Sequence, residues 1–99
     1  MSLQSLTERI QTLIGTDSGL DATFKFITDE GIISVDTKQI PNMITNDDLE
    51  TECAMEISTK NALDLLSGEL NPMMAYMMGK LKIKGDMAVA MKIAQAFGG

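Results

Sequence analysis

Residues 69–97 read ELNPMMAYMMGKLKIKGDMAVAMKIAQAF, and their pattern decides the fold of the chain. Asn71 and Pro72 predict the start of a helix of about two turns, which a glycine ends. Residues 80–84 alternate lysine with an aliphatic residue, which predicts an edge strand, and a Gly-Asp pair then precedes a closing helix. Six of the nine methionines lie in this stretch. Because methionine adapts its shape, two such helices joined by a strand predict an apolar hollow above a sheet.

The other predicted elements precede this stretch. They are, in chain order, an amphipathic helix over residues 2–14, a β-hairpin of strands 22–28 and 32–36, a short strand over 43–45, a strand over 53–57, and a helix that Ser58 or Thr59 caps. No repeat, linker or low-complexity tract interrupts them. We therefore interpret residues 1–99 as a single domain.

The composition is that of a globular protein, with 44% hydrophobic and 22% charged residues. The net charge of −6 argues against a nucleic-acid partner, because the phosphate backbone requires clustered lysine and arginine. Anionic membranes should repel the chain on average, although a local basic patch can still dock. We expect a cytoplasmic protein, because the sequence shows no apolar run of membrane-spanning length, no secretory signal and no C-terminal peroxisomal tripeptide.

The sequence contains few of the residue types that catalysis usually requires. Histidine is absent, which excludes Ser-His-Asp and Cys-His arrangements. The single cysteine, Cys53, occupies an inward strand position, where a buried thiol is inert. Asp47, Asp48, Glu50 and Glu52 do not match the spacing of a calcium-binding loop, so we interpret them as a solvated acidic loop. We expect no enzymatic activity, no cofactor and no metal.

A longer motif surrounds the lysine-rich strand and resembles the signature of the sterol carrier protein 2 family. It consists of Ser67-Gly68-x-Leu70-Asn71-Pro72, Ala75, Gly79-Lys80-Leu81-Lys82-Ile83-x-Gly85-Asp86-Met87 and Ala90-Met91-Lys92. The preceding elements follow the family's order, so the resemblance covers nearly the whole chain. It implies an α+β fold, in which a five-stranded, mostly antiparallel sheet is covered on one face by helices with an apolar lipid tunnel between.

The resemblance also implies a non-catalytic intracellular carrier of a fatty acid, acyl-CoA, isoprenoid or sterol, with transient membrane contact. Carried onto this sequence, the family's tunnel lining comprises Phe24, Phe26, Met74, Met77, Met78, Leu81, Ile83, Met87, Met91 and Phe97. Many relatives have glutamine at the position of Met78, so a more apolar pocket is expected here. A compact, methionine-lined site suits a flexible chain at least as well as a sterol. We expect a monomer or weak dimer.

A second hypothesis uses the closing helix as a protein interface. Only Lys92 and Gln95 are plainly polar in that helix, which is more apolar than a helix lying on one sheet requires. The chain would then be an accessory or scaffold module for an enzyme of lipid or quinone biosynthesis. Such an interface predicts concentration-dependent oligomers and no co-purifying lipid, whereas a carrier predicts the reverse.

Overall fold

The computed structural model describes residues 2–15 and 19–98, except for the side chain of Phe97. The chain forms α1 (Leu3–Ile14), β1 (Thr23–Ile27), β2 (Ile32–Asp36), β3 (Met43–Thr45), β4 (Cys53–Glu56), α2 (Thr59–Leu66), α3 (Pro72–Met77), β5 (Lys82–Gly85) and α4 (Met87–Gly98). This architecture confirms the predicted α+β fold. Ser58, rather than Thr59, caps α2, because its side chain accepts a hydrogen bond from the backbone N–H of Asn61.

The five strands form one mixed sheet in the order β3-β2-β1-β4-β5. All neighbouring pairs are antiparallel except β1 and β4, which run parallel. Phe26 of β1 lies opposite Ile33 of β2 and Met55 of β4. Because side chains alternate along a strand, this register places the large apolar residues of the central strands on one face, which we call the inner face.

The helices cover the inner face and bury it. α1 packs against β2 and α2, while α4 packs against β4, β5 and α2. α1 contributes Leu6, Ile10 and Ile14 to the core, at helical spacing. α4 buries two alanines and Ile93, so its backbone approaches the sheet closely. The core therefore lies between one sheet face and one layer of helices.

The acidic loop between β3 and β4 lies against the outer face of the sheet. The hydroxyl of Ser34 donates to the carbonyl oxygen of Asp47 at 2.6 Å. Lys25 forms an ion pair of 2.6 Å with Asp48 and also donates to the carbonyl oxygen of Leu49. These contacts attach the loop to β1 and β2.

β5 begins at Lys82, two residues later than the alternating pattern predicts. The backbone N–H groups of Lys80 and Leu81 both donate to the carbonyl oxygen of Ala75, at 2.9 and 3.1 Å. These two residues therefore close α3 instead of pairing with β4. Gly79, with φ of +77°, makes the turn that returns the chain to the helix end.

Candidate functional site

α3 is short and depends on its N-cap. The Asn71 side-chain oxygen accepts hydrogen bonds from the backbone N–H groups of Met73 and Met74, at 2.9 and 3.2 Å. Pro72 occupies the first helical position, where its missing N–H is not needed. Only Pro72 and Ala75 of this helix are buried. The cap and these two side chains hold α3 in place beside α4.

The methionines of α3 and its C-cap point largely into solvent. The exposed fractions are 51% for Met73, 56% for Met74, 79% for Met77 and 58% for Met78. We call these four side chains the methionine surface. Tyr76, at 41%, is also exposed on this helix. A contiguous apolar surface on so short a helix is typical of a binding site.

The apolar residues of the inner face are fully buried. Phe24, Phe26 and Leu81 are at most 1% exposed. The two rings meet edge to face with their centroids 5.9 Å apart, a favourable aromatic geometry. Leu81 follows the turn that closes α3, so its side chain joins the core next to the base of that helix. This aromatic core lies directly under the helical layer.

The structure describes nine of the ten residues predicted to line the tunnel, and they differ in burial. The buried group is Phe24, Phe26 and Leu81, while Ile83 and Met91 are partly buried. The exposed group is Met74, Met77, Met78 and Met87, the last being 43% exposed on the first turn of α4. The side chain of Phe97 lies outside the described residues. The assignment of these residues to one lipid site stays a prediction.

Helical spacing alone missed two exposed apolar side chains near the same site. Met73 and Tyr76 are not among the predicted lining residues, although both are exposed on α3. The signal for them was the length of the helix, because six residues offer too few positions to bury four bulky side chains.

An open cleft of about 360 Å³ lies at one end of the sheet, beside the base of α3. Its walls include Lys80, Lys82, Asp29 and Glu56. Asp29 accepts hydrogen bonds from the backbone N–H and the hydroxyl of Thr59 at 2.7 and 2.9 Å, and these bonds lower the pKa of its carboxyl. The charged lining does not suit an alkyl chain.

The second carboxylate of this cleft is also paired. Glu56 forms an ion pair of 2.9 Å with Lys84, whose hydrogen bond lowers the pKa of the Glu56 carboxyl. Neither Asp29 nor Glu56 is therefore poised to act as a base.

Cys53 is equally unsuited to chemistry. Its side chain is 1% exposed, and burial raises the pKa of the thiol to about 11. Little thiolate exists at neutral pH, so the group is a poor nucleophile. Among residues 2–15 and 19–98, no three histidine, cysteine or acidic side chains are arranged to hold a metal ion. Within the same residues, no helix has the length and apolarity to span a bilayer.

The fold and the site define a small α+β domain with an apolar helical surface above a buried aromatic core. Residues 3–98 match the family model described as the SCP-2 sterol transfer family. The chain belongs to this family, which confirms the resemblance found in the motif around α3 and β5.

Individual proteins show the same likeness. The sterol carrier protein 2 of Oryctolagus cuniculus is 38% identical over 52 residues, which are 52% of this chain and 10% of that protein. The chain thus matches about a tenth of the length of the curated relatives.

Two solved structures cover most of the chain. The sterol carrier protein domain 2 of Helicoverpa armigera is 27% identical with a TM-score of 0.69, over 97% of this chain and 85% of that one. The palmitated SCP2L2 of Aedes aegypti has a TM-score of 0.75 at 21% identity, over 100% and 96% of the two chains. The second likeness concerns the fold alone.

Proposed function

We propose that the chain is a non-catalytic carrier that holds the alkyl chain of one lipid between the inner face and the helices α3 and α4. The observation that carries this proposal is that α3, which bears the exposed methionine surface, buries Ala75 in the same core cluster as Phe24, Phe26 and Leu81. When α3 moves outward, the alkyl chain reaches the aromatic core. The methionine side chains then turn inward and cover it, because their unbranched thioethers adapt to the guest.

α3 is weakly held, which favours its outward movement. Its six residues are far fewer than an isolated helix needs for stability. Only Pro72 and Ala75 are buried, so displacement of the helix removes little apolar surface from the core. α1 and α4 cover the rest of the core, so we expect it to stay packed during this movement.

Burial of methylene groups supplies enough free energy for binding. Each buried methylene contributes about 0.8 kcal/mol, so ten contribute roughly 8 kcal/mol before the costs of association. Micromolar binding itself needs about 8 kcal/mol net, so a chain of more than ten methylenes must be buried to offset the costs of association. No polar recognition is required, which agrees with a site that contains neither histidine nor arginine among its proposed residues.

A flexible acyl chain fits this site better than a rigid sterol. Phe24, Phe26 and Leu81 are packed to within 1% exposure, so any ligand must displace part of the helical layer. A single alkyl chain needs a narrower opening than a fused ring system. The Aedes aegypti relative is described as palmitated, which supports an acyl ligand, while the family name supports a sterol.

The test is mass spectrometry of an organic extract from the natively purified protein, followed by displacement of fluorescent cis-parinaric acid by palmitate. We expect a stoichiometric lipid and saturable displacement. A blank extract together with an absence of saturable displacement overturns the carrier proposal.

A matched pair of variants locates the site. Met77→Gln should weaken palmitate binding about tenfold, because burial of a methionine side chain contributes about 1.5–3 kcal/mol. The control is Met43→Gln, which changes a methionine that is 40% exposed on β3, at the far edge of the sheet. Equal effects of the two substitutions would exclude α3 from the site.

The scaffold hypothesis now depends on α3 more than on α4. The apolar stripe of α4 that includes Ala90, Ile93 and Ala94 packs inside the domain, which leaves Met87 as its large exposed apolar side chain in the described part. The methionine surface is the broader exposed apolar area. Sedimentation velocity across a concentration series tests this function: oligomers combined with a blank lipid extract would favour it over the carrier.

A further inference from the structure

The edge of the sheet beside β5 carries backbone groups that no other strand pairs. β5 is the last strand in the order, so only β4 bonds to it. The backbone N–H of Asp86 donates to the carbonyl oxygen of Glu52 at 3.0 Å, which fixes the alternation of the antiparallel ladder. Counted back from Asp86, Lys84 and Lys82 therefore direct their N–H and C=O groups towards β4.

Ile83 and Gly85 direct the same groups away from β4, towards the free edge. In the part of the chain that the structure describes, no loop or side chain forms a hydrogen bond with either residue from that side. Such an edge is a template for one further strand. The opposite edge strand, β3, has only three residues and offers a shorter template.

The side chains of β5 differ on the two faces of the sheet. Ile83 is partly buried towards the helices, while Lys82 and Lys84 are exposed on the outer face. Lys84 forms an ion pair of 2.9 Å with Glu56, whereas Lys82 has no ion pair within residues 2–15 and 19–98. Residues 70–85 contain no aspartate or glutamate, so this segment contributes only positive charge to the edge.

We propose that the free edge of β5 binds an extended acidic segment of a protein partner as a sixth strand of the sheet. The segment bonds to the backbone of Ile83 and Gly85, and its carboxylates lie opposite Lys82 and Lys84 on the outer face. An apolar residue between the carboxylates lies opposite Ile83. The recognised pattern is therefore acidic, apolar, acidic.

This interaction goes beyond the carrier function and does not depend on it. The segment contacts the edge of the sheet, whereas the proposed lipid site lies between the inner face and the helices. Peptide binding and palmitate binding are therefore measured separately, and the failure of one leaves the other intact.

A second copy of the chain does not suit this edge. Antiparallel pairing of two β5 strands about Ile83 would place Lys82 of each copy opposite Lys84 of the other. Like charges directly opposite each other destabilise a strand pair. The same lysines disfavour basic segments, and lysine on an edge strand commonly prevents unwanted pairing. Charge complementarity therefore selects an acidic segment.

The experiment is an NMR titration of the isotope-labelled full chain with the capped peptide Thr-Glu-Val-Glu-Thr. We expect saturable shifts of the Ile83 and Gly85 amides. Their hydrogen exchange should slow on binding, because both N–H groups gain acceptors. The amides of α1, which packs against β2 and α2 away from this edge, should keep their shifts.

Two N-methylated peptides test the strand geometry on the unmodified protein. In antiparallel addition the N–H of the valine donates to the carbonyl oxygen of Ile83, while the N–H groups of both glutamates point away from β5. N-methylation of the valine should weaken binding about tenfold, because it removes one backbone hydrogen bond. N-methylation of the second glutamate should leave the affinity unchanged, and equal effects would contradict strand addition.

A matched pair of lysine variants tests the charge preference. Lys82→Gln should weaken peptide binding about two- to fivefold, the range of an exposed ion pair. The control is Lys60→Gln, which removes the same charge from α2, where the lysine side chain is 65% exposed. It should bind like the unmodified chain. Equal losses would mean that only net charge matters.

Other results would also overturn the strand-addition proposal. The absence of saturable shifts at millimolar peptide would do so, as would equal binding of Thr-Lys-Val-Lys-Thr. Shifts confined to α3 would assign the peptide to the methionine surface. Protection of the Ile83 and Gly85 amides that rises with protein concentration, without peptide, would assign the edge to a second copy.

Discussion

Replacement of the α3 cap, Asn71→Ala, should loosen one helix without unfolding the domain. The substitution removes the side-chain oxygen that accepts the N–H groups of Met73 and Met74. Loss of an asparagine N-cap costs about 1 kcal/mol, with a range of about 0.5–2. Because α3 buries only Pro72 and Ala75, little packing compensates for the loss. The population of opened α3 should therefore rise about fivefold.

Hydrogen exchange of individual amides measures this opening. The amides of Ala75, Met78, Lys80 and Leu81 all donate to oxygens of α3 or its cap residue, so their exchange should become about fivefold faster. The amides of the β1–β2 ladder, in the centre of the sheet, should keep their rates. If α3 is also the gate of the proposed lipid site, palmitate should associate and dissociate faster in this variant.

The control is Asn71→Asp, which keeps an acceptor at the cap and adds a negative charge at the helix N-terminus. It should exchange like the unmodified chain. Faster exchange in α3 and the central sheet by the same factor would mean that α3 opens only with the whole domain. Unchanged exchange in Asn71→Ala would show that the cap does not stabilise the helix.

Three further predictions concern stability and reactivity. Gly85→Ala should destabilise the fold more than Gly68→Ala in urea titrations. Both glycines have positive φ, +91° and +84°, but a Cβ at Gly85 would lie 2.6 Å from a backbone oxygen, whereas a Cβ at Gly68 would have no neighbouring atom within 4 Å. Equal losses of stability would contradict a steric cause. Cys53 should stay unreactive towards a thiol reagent at pH 8 in the native protein and react in urea, since burial raises its pKa to about 11; rapid native reaction would disprove that burial. The Asp29 pKa lies below its usual 3.8, so its carboxylate stabilises the fold above that pH and less as the pH falls through the folded-state pKa. The difference in urea midpoint between the unmodified chain and Asp29→Asn should thus shrink from pH 7 to pH 3, and a constant difference would contradict this role.

The local elements were predictable because their signals lie within a few residues. Asn71 and Pro72 predict the start of α3, because Asn71 supplies a cap acceptor and Pro72 lacks an N–H. Both residues occupy these positions in the structure. The β1–β2 hairpin follows from alternation on both sides of a short turn. The parallel pairing of β1 with β4 has no such signal, because it joins strands that are distant in sequence. Only the family resemblance indicated the complete sheet.

The candidate site was only partly predictable, because exposure depends on three-dimensional context. Phe24 and Met77 are both apolar, and the family resemblance assigns both to the same tunnel, yet the first is 0% and the second 79% exposed. The sequence pattern cannot show that α3 lies on the edge of the helical layer. It also extends β5 back to Lys80, since the alternation does not reveal the two bonds to the carbonyl oxygen of Ala75. Those bonds place Lys80 at the C-terminal end of α3.

The parallel β1–β4 pair also has a consequence during synthesis of the chain. Phe24 and Phe26 lie opposite Cys53 and Met55, which leave the ribosome about thirty residues later. At about 5–20 residues per second, this edge of β1 stays unpaired for roughly 1.5–6 seconds until β4 is synthesised. Through that interval an aromatic strand edge is available to chaperones and to other nascent chains. Slower translation of residues 37–52 should therefore raise the fraction of chain that aggregates before β4 arrives.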